Sequence, residues 1–199
     1  MRLVIDSATA ACSAALIDAG QLVAERHELV GRGHAERLLP MIAELLERRR
    51  PDAILVDCGP GSFTGVRVGL AAAHGLAIGW GIPVSGFSSM AVVAAASGAR
   101  EVAVALQGGH GELFVQSYGG EPLEPLDALR SLAPEAAAAA IDSTLVVGSG
   151  AQSVVTARGF GEWRDVLPRA ADARMLPAAL AGLPPIPIYG RAPDAKPMP

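Results

Sequence analysis

With 199 residues, 51% of them hydrophobic, the chain can bury one sizeable core or two small ones. Its formal charge of −4 speaks against a general nucleic-acid surface, which would need a clustered basic face, so any RNA contact is expected to come with the help of a partner. The two cysteines, Cys12 and Cys58, lack the Cys-x-x-Cys spacing of a redox or metal site and suit a reducing compartment; the apolar run before Asp6 is only Leu3 to Ile5, too short for the core of a signal peptide, and a cytoplasmic location is expected.

In chain order, Arg2 to Asp6 predicts a strand, Ser7 to Ala11 a turn, Cys12 to Asp18 a second strand, Ala19-Gly20 a turn and Gln21 to Val30 a third strand, an antiparallel meander. His34 to Arg50 predicts an amphipathic helix with Leu38, Leu39, Met41, Ile42, Leu45 and Leu46 opposite Glu36, Arg37, Glu44 and Glu47. Pro40 is expected to kink it, Arg48 to Arg50 to complement the dipole in its last turn, and Pro51 to stop it. Then come a strand at Ala53 to Val56, a glycine-rich loop, a helix over Val66 to Trp80, a strand at Ile82 to Ser85 and a helix over Ser88 to Ala96. The order is βββαβαβα. No charge falls between Arg67 and Arg100, a membrane-span length, but Gly69, Gly75, Gly79, Gly81 and Pro83 break the run, and a helix, a buried strand and a second helix fit it better.

The loop Cys58-Gly59-Pro60-Gly61-Ser62-Phe63-Thr64-Gly65-Val66-Arg67 is the most distinctive stretch, either an anion cradle at a helix start or a docking loop. A phosphate loop would need a lysine after its last glycine, a dinucleotide fingerprint would need glycine at position 64, and a nucleophile elbow around Ser62 would need glycines at 60 and 64; Pro60 and Thr64 defeat these readings. In the following helix Gly65, Gly69 and Ala73 recur at four-residue spacing, as do Gly75 and Gly79. Glycines there cost about 1 kcal/mol each relative to alanine, so a close-packed surface should offset them, supplied by the protein's own sheet or by a helix of another subunit.

From Glu101 the layout restarts: a strand to Gln107, a turn at Gly108-Gly109-His110-Gly111, and a strand from Glu112 to Tyr118. A helix near Pro134 to Ala140, a strand at Thr144 to Val147, a short helix from Ala151 and a helical stretch near Asp172 to Ala181 follow, which suggests an internal duplication with a reduced second half. The expected division is 1–99, 100–182 and an extended, partly mobile Pro-rich tail at 183–199.

The sequence resembles the bacterial TsaB (YeaZ) family. The likeness is carried by Ile5-Asp6-Ser7-Ala8-Thr9-Ala10-Ala11-Cys12-Ser13, by His34-Ala35-Glu36-Arg37-Leu38-Leu39-Pro40, by Gly59, Pro60, Gly61, Ser62, Phe63, Thr64, Gly65 and on to Arg67, and by Arg191-Ala192-Pro193-Asp194-Ala195, dense in the first half and thin in the second. The resemblance implies an α/β fold of the actin/Hsp70-like ATPase (ASKHA, RNase H-like) class. It also implies a non-catalytic scaffold that binds and activates a TsaD-like subunit for threonylcarbamoylation of adenosine 37 in ANN-decoding tRNAs. The partners it implies are that TsaD-like subunit, a TsaE-like ATPase, a second copy of the chain when alone, and tRNA only through the complex. Helices matching the first two here form the family's partner bundle, which points to His34, Arg37, Leu38, Met41, Ile42, Leu45, Val66, Gly69, Leu70 and Ala73 as the interface.

Catalytic equipment is thin. The related catalytic subunits hold a metal through a His-x-x-x-His pair, whereas here His34 is followed four residues later by Leu38, leaving His34 a capping or packing role. Of the two phosphate hairpins of actin-like ATPases, the first becomes Asp6-Ser7-Ala8-Thr9, with alanine where a close backbone approach wants glycine. The second becomes Gln107-Gly108-Gly109, without a carboxylate to organise a cation and unlike the run usual in TsaB relatives. Asp6, Ser7, Thr9, Gly108 and Gly109 are therefore vestigial phosphate-loop candidates, no metal or cofactor is expected to be required, and ADP or ATP is expected only at a partner interface. The competing readings are a stand-alone ATP-dependent transferase or kinase on the same fold and, last, an M22-type peptidase, for which no activated nucleophile can be assembled.

Overall fold

The structure is a computed structural model that describes residues 1–190; the Arg191 to Ala195 stretch and the rest of the tail lie outside the described residues. The first sheet is built from β1 (Arg2–Asp6), β2 (Ala11–Asp18), β3 (Gln21–Leu29), β4 (Ala53–Asp57) and β5 (Val84–Phe87), in the order β3-β2-β1-β4-β5. The meander pairs antiparallel, and β4 and β5 join parallel, with Ile5 beside Val56. Three helices cross between strands: α1 (His34–Leu46), α2 (Phe63–Trp80) and α3 (Ser89–Ser97).

The second sheet repeats the plan: β6 (Glu101–Gln107), β7 (Leu113–Gly119), β8 (Glu124–Pro125), β9 (Arg130–Leu132), β10 (Leu145–Val147) and β11 (Glu162–Arg164) run β8-β7-β6-β10-β11, with β9 also on β7. Its helices are α4 (Pro134–Ala140) and α5 (Ala151–Arg158). The duplication is therefore real in the strand order, and the second half is reduced in element length. β8, β9 and β11, of two or three residues each, are too short for a period-2 pattern and were not foreseen.

Four apolar clusters layer the molecule. Leu38, Met41, Ile42 and Leu45 of α1, with Val66, Leu70 and Ala73 of α2, cover one face of the first sheet at Leu3, Ile5, Leu16 and Ile54. Each Val, Leu, Ile or Met among them contributes about 1.5–3 kcal/mol by leaving water. α3 lies between the sheets: Val92 packs with Val4, Leu55 and Phe87, while Met90 and Val93 pack with Val102, Val104 and Tyr118. α4, its capping residue Ile141 and α5 close the far face through Ala137, Ile141, Ala151 and Val154.

Several boundaries differ from expectation for identifiable reasons. α1 stops at Leu46, where Glu47 takes a positive φ of 54°, so Arg48 to Arg50 lie beyond its last turn; Pro40 stays within a continuous helix. Arg50 instead donates to the Trp80 carbonyl, 2.7 Å away, and complements the C-terminus of α2. α2 starts three residues early, at Phe63, because Ser62 caps it by accepting from Gly65 N at 3.2 Å. The helical stretch expected at Asp172 to Ala181 is two 3-10 turns, Ala170–Met175 and Ala178–Leu180, parted by Pro177.

The described part of the tail is a strap fastened to the body. Leu183 exchanges two backbone hydrogen bonds with Gly86 on the β5 edge, Ile188 N donates to Cys58 O at 2.7 Å, and Pro185 O meets His74. Among the described residues no helix is long and apolar enough to cross a membrane.

Candidate docking site on the helix pair

The glycine loop is a clasp between α2 and the β1–β2 turn. A Cβ on Gly61 would sit 2.0 Å from Ala8 O, one on Gly65 2.0 Å from Ser7 O, and one on Gly69 2.6 Å from Ser7 Oγ. Only bare backbone fits along this line. Two hydrogen bonds close the joint: Ser62 N donates to Ala8 O at 2.6 Å, and Ser7 Oγ donates to Gly65 O at 2.9 Å. Gly59 N donates to Asp57 Oδ1, and Val66 N to Ser62 O. Four amides that could have cradled an anion, those of Gly59, Ser62, Gly65 and Val66, are thus spent within the protein.

This geometry settles which surface the inner glycines serve. Gly65, Gly69 and Ala73 face the protein's own sheet and hairpin, not another subunit. Of the ten residues expected at a partner interface, His34, Leu38, Met41, Ile42, Leu45, Val66, Gly69, Leu70 and Ala73 are buried in the protomer and cannot present themselves to a partner. Their burial follows from the apolar periodicity that singled them out, since that face packs on the nearest sheet. His34 Nε2 lies 3.2 Å from Ala11 O, a packing role. Arg37 is half-buried and spans Glu28 of β3 and Glu44 of α1. The pairing holds both carboxyls below the ordinary glutamate range, chiefly through the guanidinium hydrogen bonds.

Turned outward on the same two helices is a different set. Phe63, Arg67, Ala71, Gly75 and Gly79 follow one another at four-residue spacing along α2, all exposed, with Ile78 beside them at 84% exposure. Around Gly75 and Gly79 a Cβ would meet nothing within 4 Å. α1 adds exposed Leu39 and Ala43. At the N-terminal end of α2 the Arg67 guanidinium lies over the Phe63 ring, 3.5 Å from its centroid, and the Tyr189 ring of the strap is 5.6 Å from that of Phe63. Aromatic and arginine side chains of this kind are enriched at protein interfaces.

The hairpin candidates are occupied by their own turns. Asp6 is fully buried, with Oδ1 accepting from Ala8 N at 3.3 Å; Ser7 is buried; Thr9 Oγ1 accepts from Ala11 N at 3.3 Å. Gly108 N donates to Glu112 O, and Gly109 O accepts from Glu112 N, so the second hairpin closes on itself. The first hairpin does not fit a phosphate-bound cation, because its carboxylate is sealed from solvent and faces another carboxyl. That partner is Asp57, 2% exposed, which accepts from Gly59 N at 2.7 Å and Ser89 Oγ at 2.6 Å. The sequence reading missed Asp57; its signal was a carboxylate closing β4 beside the one that closes β1. Burial raises both carboxyls above the usual range, and the neighbouring charge of Asp57 raises Asp6 further.

The family model described as TsaD: tRNA N6-adenosine threonylcarbamoyltransferase matches residues 25–159. The solved structure of YeaZ from Pseudomonas aeruginosa superposes with a TM-score of 0.80 at 30% identity, covering 94% of this chain and 98% of that one. The chain belongs to this TsaD-type family, in its TsaB/YeaZ branch. The Escherichia coli protein described as tRNA threonylcarbamoyladenosine biosynthesis protein TsaB is 38% identical over 125 residues, 58% of this chain and 54% of that protein; the Haemophilus influenzae TsaB is 43% identical over 100 residues, 48% and 42%. The matched region thus spans about half the length of these curated TsaB relatives or less. A Mycobacterium bovis protein of undescribed function is 32% identical across 98% of this chain and 94% of its own length. Ethanolamine utilization protein EutJ from Carboxydothermus hydrogenoformans, 15% identical with a TM-score of 0.53, shares the actin-like ATPase fold alone. In this chain the inward glycines and Asp57 join the first hairpin, the glycine loop and the start of α3.

Proposed function

We propose that this protein is a non-catalytic subunit in the synthesis of tRNA threonylcarbamoyladenosine, docking a TsaD-like threonylcarbamoyltransferase on the outward face of α1 and α2 and activating it. The observation that carries this reading is the pair Gly75 and Gly79. Each costs about 1 kcal/mol in a helix interior, and unlike Gly65 and Gly69 neither has an intramolecular neighbour that requires it. A helix of another chain packing against Ala71, Gly75 and Ile78 would supply the missing reason, since small residues let two helix axes approach closely.

The family relationship supports the pathway, and the closed hairpins support a role without chemistry of its own. A TsaE-like ATPase and a second copy of this chain are the other partners expected, tRNA is met through the complex, and any nucleotide sits where the partner contributes to its site. The test is reconstitution of tRNA modification from purified components, with and without this chain, together with size exclusion of the mixture with its TsaD-like partner. Co-elution and dependence of the modification on this chain support the reading. Failure of the two folded proteins to associate, or modification at full rate without this chain, overturns it.

A further inference from the structure

We infer that a single proton shared by Asp6 and Asp57 locks the joint from which α2 and α3 spring, in the place where a cation would otherwise be required. The two carboxyls end adjacent parallel strands, and both are sealed, at 0% and 2% exposure. Asp57 already has a donor on each oxygen, Gly59 N on Oδ1 and Ser89 Oγ on Oδ2, and keeps lone pairs for one more. Asp6 Oδ1 takes Ala8 N, while Asp6 Oδ2 has no donor to meet and is fully buried. Two buried carboxylates facing each other would repel, and a buried carboxylate oxygen without a donor is costly. Both difficulties vanish if Asp6 is a neutral acid whose O–H donates to Asp57. Among the described residues no three His, Cys, Asp or Glu side chains gather as a metal site.

The side chains packed around the pair are mostly uncharged, with Glu28 and Arg37 reaching only as far as Cys12. β2 contributes Cys12 and Ser13, and the end of β4 contributes Cys58. α2 contributes Gly65 and Gly69, β5 contributes Phe87, and α3 contributes Ser89. The two thiols are held above neutral pH by their own burial, Cys12 to about 11 and Cys58 to about 12, so they stay uncharged. The joint so closed binds the β1–β2 turn to the glycine loop and to the starts of both helices.

The consequence is proton uptake on folding. An unfolded aspartate ionises near pH 4, whereas folded Asp6 keeps its proton, so stability is complete below that pH and declines as pH rises toward the folded pKa. Asp6→Asn replaces the acid with an amide that donates without a proton. Urea unfolding of the wild type and D6N between pH 5 and 8 tests this: relative to D6N, the wild-type folding constant should fall as pH rises, by up to about tenfold per pH unit while folded Asp6 keeps its proton. Carbon-13 NMR of the aspartate carboxyls in the wild type should show Asp6 at the protonated-acid position at pH 7. Equal pH slopes for the two proteins, or Asp6 resonating as a carboxylate at pH 7, would overturn the inference. If D6N does not fold, the NMR measurement decides alone.

Discussion

The same chemical change, glycine to alanine, should have opposite consequences at two positions ten residues apart on α2. At Gly65 the added methyl would lie 2.0 Å from the Ser7 carbonyl oxygen, which is backbone and cannot swing away. The hairpin must shift, at an overpacking cost of about 1–3 kcal/mol, and the Ser7–Gly65 and Ser62–Ala8 hydrogen bonds are strained, worth about 1 kcal/mol each. Against this stands the helix-propensity gain of about 1 kcal/mol, leaving Gly65→Ala net destabilising by roughly 2–4 kcal/mol. At Gly75 the methyl meets nothing within 4 Å, so the propensity gain stands alone. Gly75→Ala should stabilise by up to about 1 kcal/mol, a rise of about 2–4 °C in Tm for a chain of this size. Urea titration with a common m-value measures both. A Gly65→Ala protein as stable as the wild type, or a Gly75→Ala protein that loses stability, would refute the division of α2 into a clasped inner line and an open outer one.

Other outcomes follow from single contacts. Ser62→Ala removes the cap on Gly65 N and should cost about 0.5–2 kcal/mol in urea titration, with Ser62→Thr recovering much of it. Arg37 depresses the Glu28 and Glu44 carboxyls, so its contribution is present above their unfolded pKa and is lost as pH falls through the folded values. Arg37→Met should therefore flatten the acid limb of the stability profile measured from pH 6 to pH 3. Cys12 and Cys58, buried with thiols at about 11 and about 12, should resist alkylation at pH 8 in the native protein and react only at the rate of unfolding, followed by mass spectrometry.

The meander, the βββαβαβα order and the second-half restart were legible because alternation, turn residues and helical periodicity are local signals. The inner face of α1 was legible for the same reason: Leu38, Met41, Ile42 and Leu45 lie where the period puts them. What covers that face was not legible, because an apolar stripe looks the same whether it meets its own sheet or a second chain. The two glycine series on α2 illustrate this: identical spacing, with Gly65 and Gly69 against Ser7 and with Gly75 and Gly79 in the open. Asp57 was passed over because a lone carboxylate after an apolar run reads as a strand end; its role appears only when register sets it beside Asp6. The strap from Leu183 to Tyr189 has no periodicity, and its anchors at Gly86, Cys58 and His74 are about a hundred residues away in sequence.

The outward face of the helix pair is the central claim, and the affinity of the folded protein for its TsaD-like partner tests it most directly. Gly75→Leu and Ile78→Glu alter exposed positions and should leave the unfolding transition within about 1 kcal/mol of the wild type. By isothermal titration calorimetry each should weaken the complex by at least about thirtyfold, the loss of a central contact worth about 2 kcal/mol. Wild-type affinity in both variants, with both proteins folded, would contradict the account.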